Sequence, residues 1–160
     1  QTFLAGRGCI TGGWQEAAHG NVIDKQASYL CGWRDTKISA ALAGEGYSMV
    51  VCPGQAYYLD MAFNTDWDEP GASWAGASTP EETYLFDPVA GWSAAQREKL
   101  LGVQACIWSE PMLDRAVFDR LVFPRLSAIA ETGWTRPEQK SWARFKASAG
   151  LMPVLYGTLP

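Results

Sequence analysis

Short, dense apolar runs alternate along this chain with stretches of helical period. The first run lies within Phe3–Trp14, is rich in glycine and ends on Gly12-Gly13-Trp14. A weak segment near Ala17–Ala18 has room for one helical turn. The second run is Ala27–Trp33. Asp35 or Thr36 then caps a helix in which Ile38, Ala41 and Leu42 share a face, and Gly44 and Gly46 end it. The third run, Tyr47–Cys52, is stopped by Pro53-Gly54. From Pro53 to Trp92 the pattern is irregular and broken by Pro53, Pro70, Pro80 and Pro88, yet its many aromatic residues predict an ordered, packed loop. Ser93 and Gln96 form a capping box opening a helix to about Leu101, which Gly102 closes. The fourth run is Val103–Trp108. A last helical stretch extends from Pro111 to about Thr132, with Leu113, Ala116, Val117 and Leu121 as its inner stripe and Pro124 kinking or splitting it. The tail is helical from Ser141 to about Ala147 and irregular after that.

Strands alternating with helices predict an α/β fold with a parallel sheet. The near-continuous apolar character of the runs predicts strands buried on both faces. A doubly wound sheet and part of a β/α barrel both fit this order.

Composition narrows the function classes. The chain has 160 residues, 48% of them hydrophobic and 19% charged, which excludes a disordered charged tail and allows one real core. No apolar run approaches the ~18–20 residues that span a bilayer, so no membrane partner is expected. A net charge of −4 without a basic cluster gives no footprint for nucleic acid. The single histidine, His19, argues against a His-based metal site and reads as a loop residue. Gly6-Arg7-Gly8 and Gly12-Gly13 do not match a phosphate loop, and no serine sits in a G-x-S-x-G context, so no cofactor is expected. Cys9, Cys31, Cys52 and Cys106 form no CxxC pair; they read as small buried residues, with disulfides between adjacent strands as the alternative. The chain begins at Gln1 without a Met or a signal peptide, and is expected to be processed or cut from something longer.

Three runs end alike. Trp14-Gln15-Glu16, Trp33-Arg34-Asp35 and Trp108-Ser109-Glu110 each put a Trp, a spacer and a carboxylate at a strand's C-terminal end. In β/α barrels that end is the active-site face. An indole covers the apolar face of a sugar ring while a carboxylate accepts from its hydroxyls, so a shared pocket is expected. The bland alternative is a core Trp followed by a helix-capping acid. After the third run, Tyr58 and Asp60 add a hydrogen-bond donor and an acceptor. Asp60 and Glu110 are the best candidates for a paired-carboxylate mechanism. Asp66, Asp68 and Glu69 read as solvated loop, and Arg125 as a structural ion pair near Glu131.

Gly13-Trp14-Gln15-Glu16, Pro53-Gly54 with Tyr58-Leu59-Asp60, Trp74-Ala75-Gly76, Gln104-Ala105-Cys106-Ile107-Trp108-Ser109-Glu110, Phe123-Pro124-Arg125-Leu126 and Ala130-Glu131-Thr132-Gly133-Trp134 occur in that order. The set resembles the second half of the catalytic barrel of glycoside hydrolase family 20, the β-N-acetylhexosaminidases, and the chitobiase-like members most. The resemblance implies an α/β fold that is the C-terminal half, strands five to eight, of a (β/α)8 TIM barrel. It implies cleavage of terminal β-linked N-acetylglucosamine or N-acetylgalactosamine with retention, the substrate's own acetamido group acting as nucleophile.

The family's catalytic Asp-Glu pair, at the end of the fourth strand, is expected just before Phe3 and so outside the chain; Asp68-Glu69 does not match its position. What the resemblance carries over is a pocket. Trp14, Trp33 and Trp108 match its walls, Tyr58 the phenol that orients the acetamido carbonyl, Asp60 and Glu110 the acids at the C4/C6 end, and Trp74 the indole stacked on the leaving sugar. Asp60 and Glu110 thereby become a substrate clamp, not an acid/base pair. Residues 1–135 are expected to be the half barrel and residues 136–160 a helical and irregular tail of the same domain. Expected partners are N-acetylhexosamine oligosaccharides and either the missing N-terminal half barrel or a second copy, because half a barrel has open edges. Exported, periplasmic or secreted placement follows from the chitobiase-like resemblance. A stand-alone carbohydrate-binding or scaffold module without catalysis is the alternative.

Overall fold

A computed structural model describes residues 1–149. Its elements in chain order are α1 (Thr2–Ala5), β1 (Thr11–Trp14), β2 (Ser28–Gly32), α2 (Thr36–Gly44), β3 (Ser48–Val51), α3 (Gly54–Tyr57), α4 (Pro80–Leu85), α5 (Ala94–Arg97), β4 (Leu100–Val103), α6 (Arg115–Val122), α7 (Arg125–Trp134) and α8 (Trp142–Ala149). Short 3₁₀ turns cover Gln15–Asn21, Lys25–Ala27 and Pro137–Gln139. The elements group into two compact units, residues 1–58 with 87–106, and residues 59–86 with the chain from Ile107 on.

The first unit holds a parallel sheet of order β1-β2-β3-β4. Each strand pairs with the next in sequence, Trp14 opposite Cys31, Cys31 opposite Val50 and Val51 opposite Val103. A doubly wound sheet reverses its direction of growth at a switch point, and this one does not. The sequential order is that of a β/α barrel. Asp35 caps α2 by accepting from the Ile38 N–H at 2.8 Å, and α2 lies on the sheet. Gly32 admits that packing, since a Cβ there would meet the Ser39 Oγ at 2.1 Å. Leu30, Met49 and Val51 point to this side and join Ala43, Tyr47, Val89 and Trp92 in one core. Tyr29, Cys31 and Val50 alternate with them and are only half-buried. The expected burial of both faces is therefore met on the helix side only.

Several boundaries differ from the sequence expectation. The start of the first run is helix α1, and only its last four residues form a strand. The Ser93–Gln96 capping box is present but opens a single turn, and β4 starts at Leu100 because the Lys99 carbonyl already accepts from Met49. Trp108 consequently lies beyond β4, past a bridge that pairs Cys106 with Tyr58. The long loop contains α3 and α4. Thr79 caps α4 in a box with Glu82, with Pro80 at its first position. Pro124 does split the last helical stretch, after a cis Phe123–Pro124 bond. Asp114 caps α6, which leaves Leu113 outside the helix and 87% exposed, not in an inner stripe. Cys9 is exposed, whereas Cys52 and Cys106 are buried and Cys31 half-buried; none of the four is in a disulfide among the described residues.

In the second unit α4, α7 and α8 meet around Tyr84, Ala128 and Phe145. The Tyr84 hydroxyl donates to Glu131 at 2.9 Å and accepts from the Ser141 N–H at 2.7 Å. The helical tail is thus α8, and the irregular segment expected after it lies outside the described residues. Among the described residues no helix is long and apolar enough to cross a membrane.

Candidate functional site

In the first unit the C-terminal ends of β1 and β2 are tied together by the two residues after Trp14. The buried Gln15 accepts from the Trp33 and Arg34 backbone N–H groups at 3.0 and 3.2 Å. The Glu16 carboxylate accepts from the Trp33 indole N–H at 2.9 Å. Trp33 lies stacked with Tyr58, ring centroids 6.5 Å apart and planes 24° from parallel. The Arg34 guanidinium carbon lies 5.3 Å from the centroid of the Trp33 ring. Trp14 ends β1 and is 39% exposed, whereas Tyr58 is almost wholly buried. Trp14 thus ends β1, Trp33 follows β2, and Tyr58, which caps the turn of α3 after β3, is in ring contact with Trp33.

The second unit gathers the acids. Asp60 is buried at 3% exposure, and its Oδ1 has no hydrogen-bond partner among the described residues. Burial pushes its pKa up, and the Glu110 charge pushes it further. Its own backbone N–H, the Arg125 charge and the Trp108 N–H oppose that rise. Glu110 itself is exposed, as are Trp108 and Trp74. The Asp60 carboxylate thus accepts from the Trp108 backbone N–H and feels the charge of Glu110, one carboxylate buried and one in solvent. The Asp60 carbonyl accepts from Ala72, and the turn before it needs Gly71, at φ 116°. A Cβ at Gly71 would come within 2.8 Å of the Ala62 nitrogen.

The three Trp-x-acid motifs separate by role. Glu16 orients an indole, Asp35 is a helix cap as in the bland alternative, and the charge of Glu110 acts on Asp60. His19 is exposed, and so are Asp66 and Asp68. Glu69 is not solvated as expected but pairs with Arg120 at 2.6 Å. Arg125 does not pair with Glu131 either, because that carboxylate takes Tyr84 and Arg144. Among the described residues no cluster of His, Cys, Asp and Glu could hold a metal.

Residues 1–137 match the model of glycosyl hydrolase family 20, catalytic domain. The chain belongs to this family. It is 32% identical to a β-hexosaminidase of Vibrio furnissii over 76% of its own length and 20% of that protein's. It is 32% identical to a β-N-acetylhexosaminidase of Cellulomonas fimi over 66% of its length and 21% of that protein's. Its fold matches the family 20 exo-β-N-acetylglucosaminidase of Vibrio harveyi, solved with N-acetylglucosamine, at a TM-score of 0.81 and 32% identity. That match covers 90% of this chain and 23% of the other. The Streptomyces coelicolor enzyme gives 0.81 at 29% identity, over 96% of this chain and 32% of that one. The family 20 chain thus spans about a fifth of the curated relatives it matches, and it is part of an α/β TIM-barrel domain.

Sequence reasoning missed Gln15 and Glu16 as fasteners of Trp33 and read Arg125 wrongly. The signal for the first was the polar pair directly after a strand-end Trp. For Arg125 no spacing signal marks the cage, since three of its four acceptor carbonyls lie 47, 64 and 66 residues away.

Proposed function

We propose that this chain supplies the sugar-binding part of a retaining β-N-acetylhexosaminidase, as strands five to eight of the barrel. The observation that carries this reading is the buried Asp60 carboxylate with an unpartnered oxygen beside Glu110 and Trp108, in a family 20 chain. A buried acceptor of that kind is satisfied by a ligand hydroxyl. Asp60 and Glu110 then clamp the C4/C6 hydroxyls of the terminal sugar. Trp14, Trp33 and Trp108 wall the ring and the acetamido methyl, and Trp74 stacks on the leaving sugar. Tyr58 donates its O–H to the acetamido carbonyl oxygen. That bond aims the oxygen at the anomeric carbon and holds the intermediate formed when the leaving group departs.

No position in residues 1–160 matches the family's Asp-Glu acid/base pair, and the short Asp68-Glu69 sequence lies in a loop paired to Arg120. Residues 1–135 form the half barrel, and the tail from residue 136 belongs to the same domain, which the packing of α8 on Tyr84 supports. No cofactor enters the reaction.

The full-length protein is expected to release the aryl group from an aryl β-N-acetylglucosaminide, and the purified 160-residue chain is expected to leave it intact. Turnover by the isolated chain would overturn the missing-pair reading. Binding of N-acetylglucosamine without turnover by the full-length protein would replace the enzyme with a carbohydrate-binding module.

A further inference from the structure

Arg125 is fully buried on α7 and makes no salt bridge among the described residues. Its guanidinium is instead caged by carbonyls. Nε donates to the Leu121 carbonyl at 2.9 Å, and Nη1 to that of Ser78 at 3.3 Å. Nη2 donates to Leu59 at 2.9 Å and to Met61 at 2.8 Å, the two residues that flank Asp60. It also reaches the Leu121 carbonyl at 2.6 Å. The Phe63 ring closes the cage, 4.5 Å from the guanidinium carbon.

A full charge in a dry site is costly, and four carbonyls do not neutralise it. A structural role alone would be met more cheaply by an apolar side chain. What this arrangement does instead is fix the peptide units on both sides of one carboxylate from a single nitrogen. The third peptide contact of that segment, Asp60 carbonyl to the Ala72 N–H at 2.8 Å, completes the strap. The guanidinium charge also acts on Asp60 at longer range and favours its ionised, hydroxyl-accepting form.

We propose that Arg125 is the positioning residue for Asp60, fixing where its free oxygen stands and so how strongly the protein selects a hydroxyl at the C4/C6 end of the sugar. This rests on the Asp60 clamp proposed above. A lysine would keep the charge but not the planar fork that spans Leu59, Met61 and Leu121 at once.

The test uses the full-length protein with an aryl β-N-acetylglucosaminide and its 4-deoxy and 6-deoxy counterparts. Asp60→Asn is expected to lower kcat/KM on the parent sugar by about 10–100-fold and to have little effect on the counterpart lacking its hydroxyl. Arg125→Lys is expected to reproduce that selective pattern at about tenfold or more, and to add little when combined with Asp60→Asn. Should Arg125→Lys not fold, Phe63→Leu, which removes the lid and leaves every hydrogen bond of the cage, is expected to give the same selectivity at a few-fold. Equal losses on parent and deoxy sugars in the folded variant would overturn the positioning role, leaving the clamp intact. If Asp60→Asn itself shows no selectivity, the clamp reading fails first.

Discussion

Asp60 is the residue where burial and function pull in opposite directions. An ionised carboxylate with an open oxygen is unfavourable in a dry site, and its pKa is raised, first by burial and then by the Glu110 charge. The folded protein therefore binds this proton more tightly than the unfolded chain. Stability is greater below the ordinary carboxylate pKa and is lost as pH rises through the raised one. Asp60→Asn should thus raise Tm at neutral pH and raise it much less near pH 3, a difference read by thermal melts at both values. A hydroxyl donates more strongly to a carboxylate than to the neutral acid, so if Asp60 holds the sugar as proposed, KM of the full-length protein should increase as pH falls through the same range. Trp108 offers a cleaner loss. It is 39% exposed, and if it walls the proposed pocket, Trp108→Ala removes that wall in a variant whose folding is checked by its melting curve. Loss of about 1.5–3 kcal/mol of contact corresponds to a fall in kcat/KM of roughly 10–100-fold. An unchanged kcat/KM would show that the indole is not in the pocket.

At the scale of elements, the legible features are those written within a few residues. The Ser93–Gln96 box, the Asp35 cap and the split at Pro124 all stand where the sequence puts them, because caps and prolines act on their own turn. Asp35→Ala should cost about 1 kcal/mol by losing the bond to Ile38, measured by urea unfolding, without changing sugar selectivity. What was not legible depends on distant partners. β4 begins early because Met49 fixes its register from the other side of the pair. Leu113 has a helical spacing to Val117 and Leu121, but the Asp114 cap starts the helix after it. The site divides in the same way. Trp14, Trp33, Tyr58 and Asp60 could be nominated from their places at strand ends. The cage of Arg125 could not, since carbonyl acceptors belong to every residue and leave no mark in the sequence.

At the scale of the whole molecule, the sheet of the first unit has two edges, β1 and β4, that no other strand among the described residues pairs. Both are only four residues long, but neither holds a Lys, a Pro or any charged side chain. β1 reads Thr-Gly-Gly-Trp, preceded by Ile10 at 67% exposure, and β4 presents Leu101 at 62%. The faces of Tyr29, Cys31 and Val50 that turn away from α2 are half-open as well. In a closed barrel of about eight strands both defects disappear together, because neighbouring strands take the edges and opposite strands fill the interior. The 160-residue chain alone should therefore associate, through its own copies or with a polypeptide carrying the other strands. Sedimentation at rising concentration should show mass above 17.5 kDa, and Thr11–Trp14 and Leu100–Val103 should gain hydrogen-exchange protection in the assembled form. A chain that stays monomeric, with both strands exchanging freely, would mean that these edges are not barrel seams.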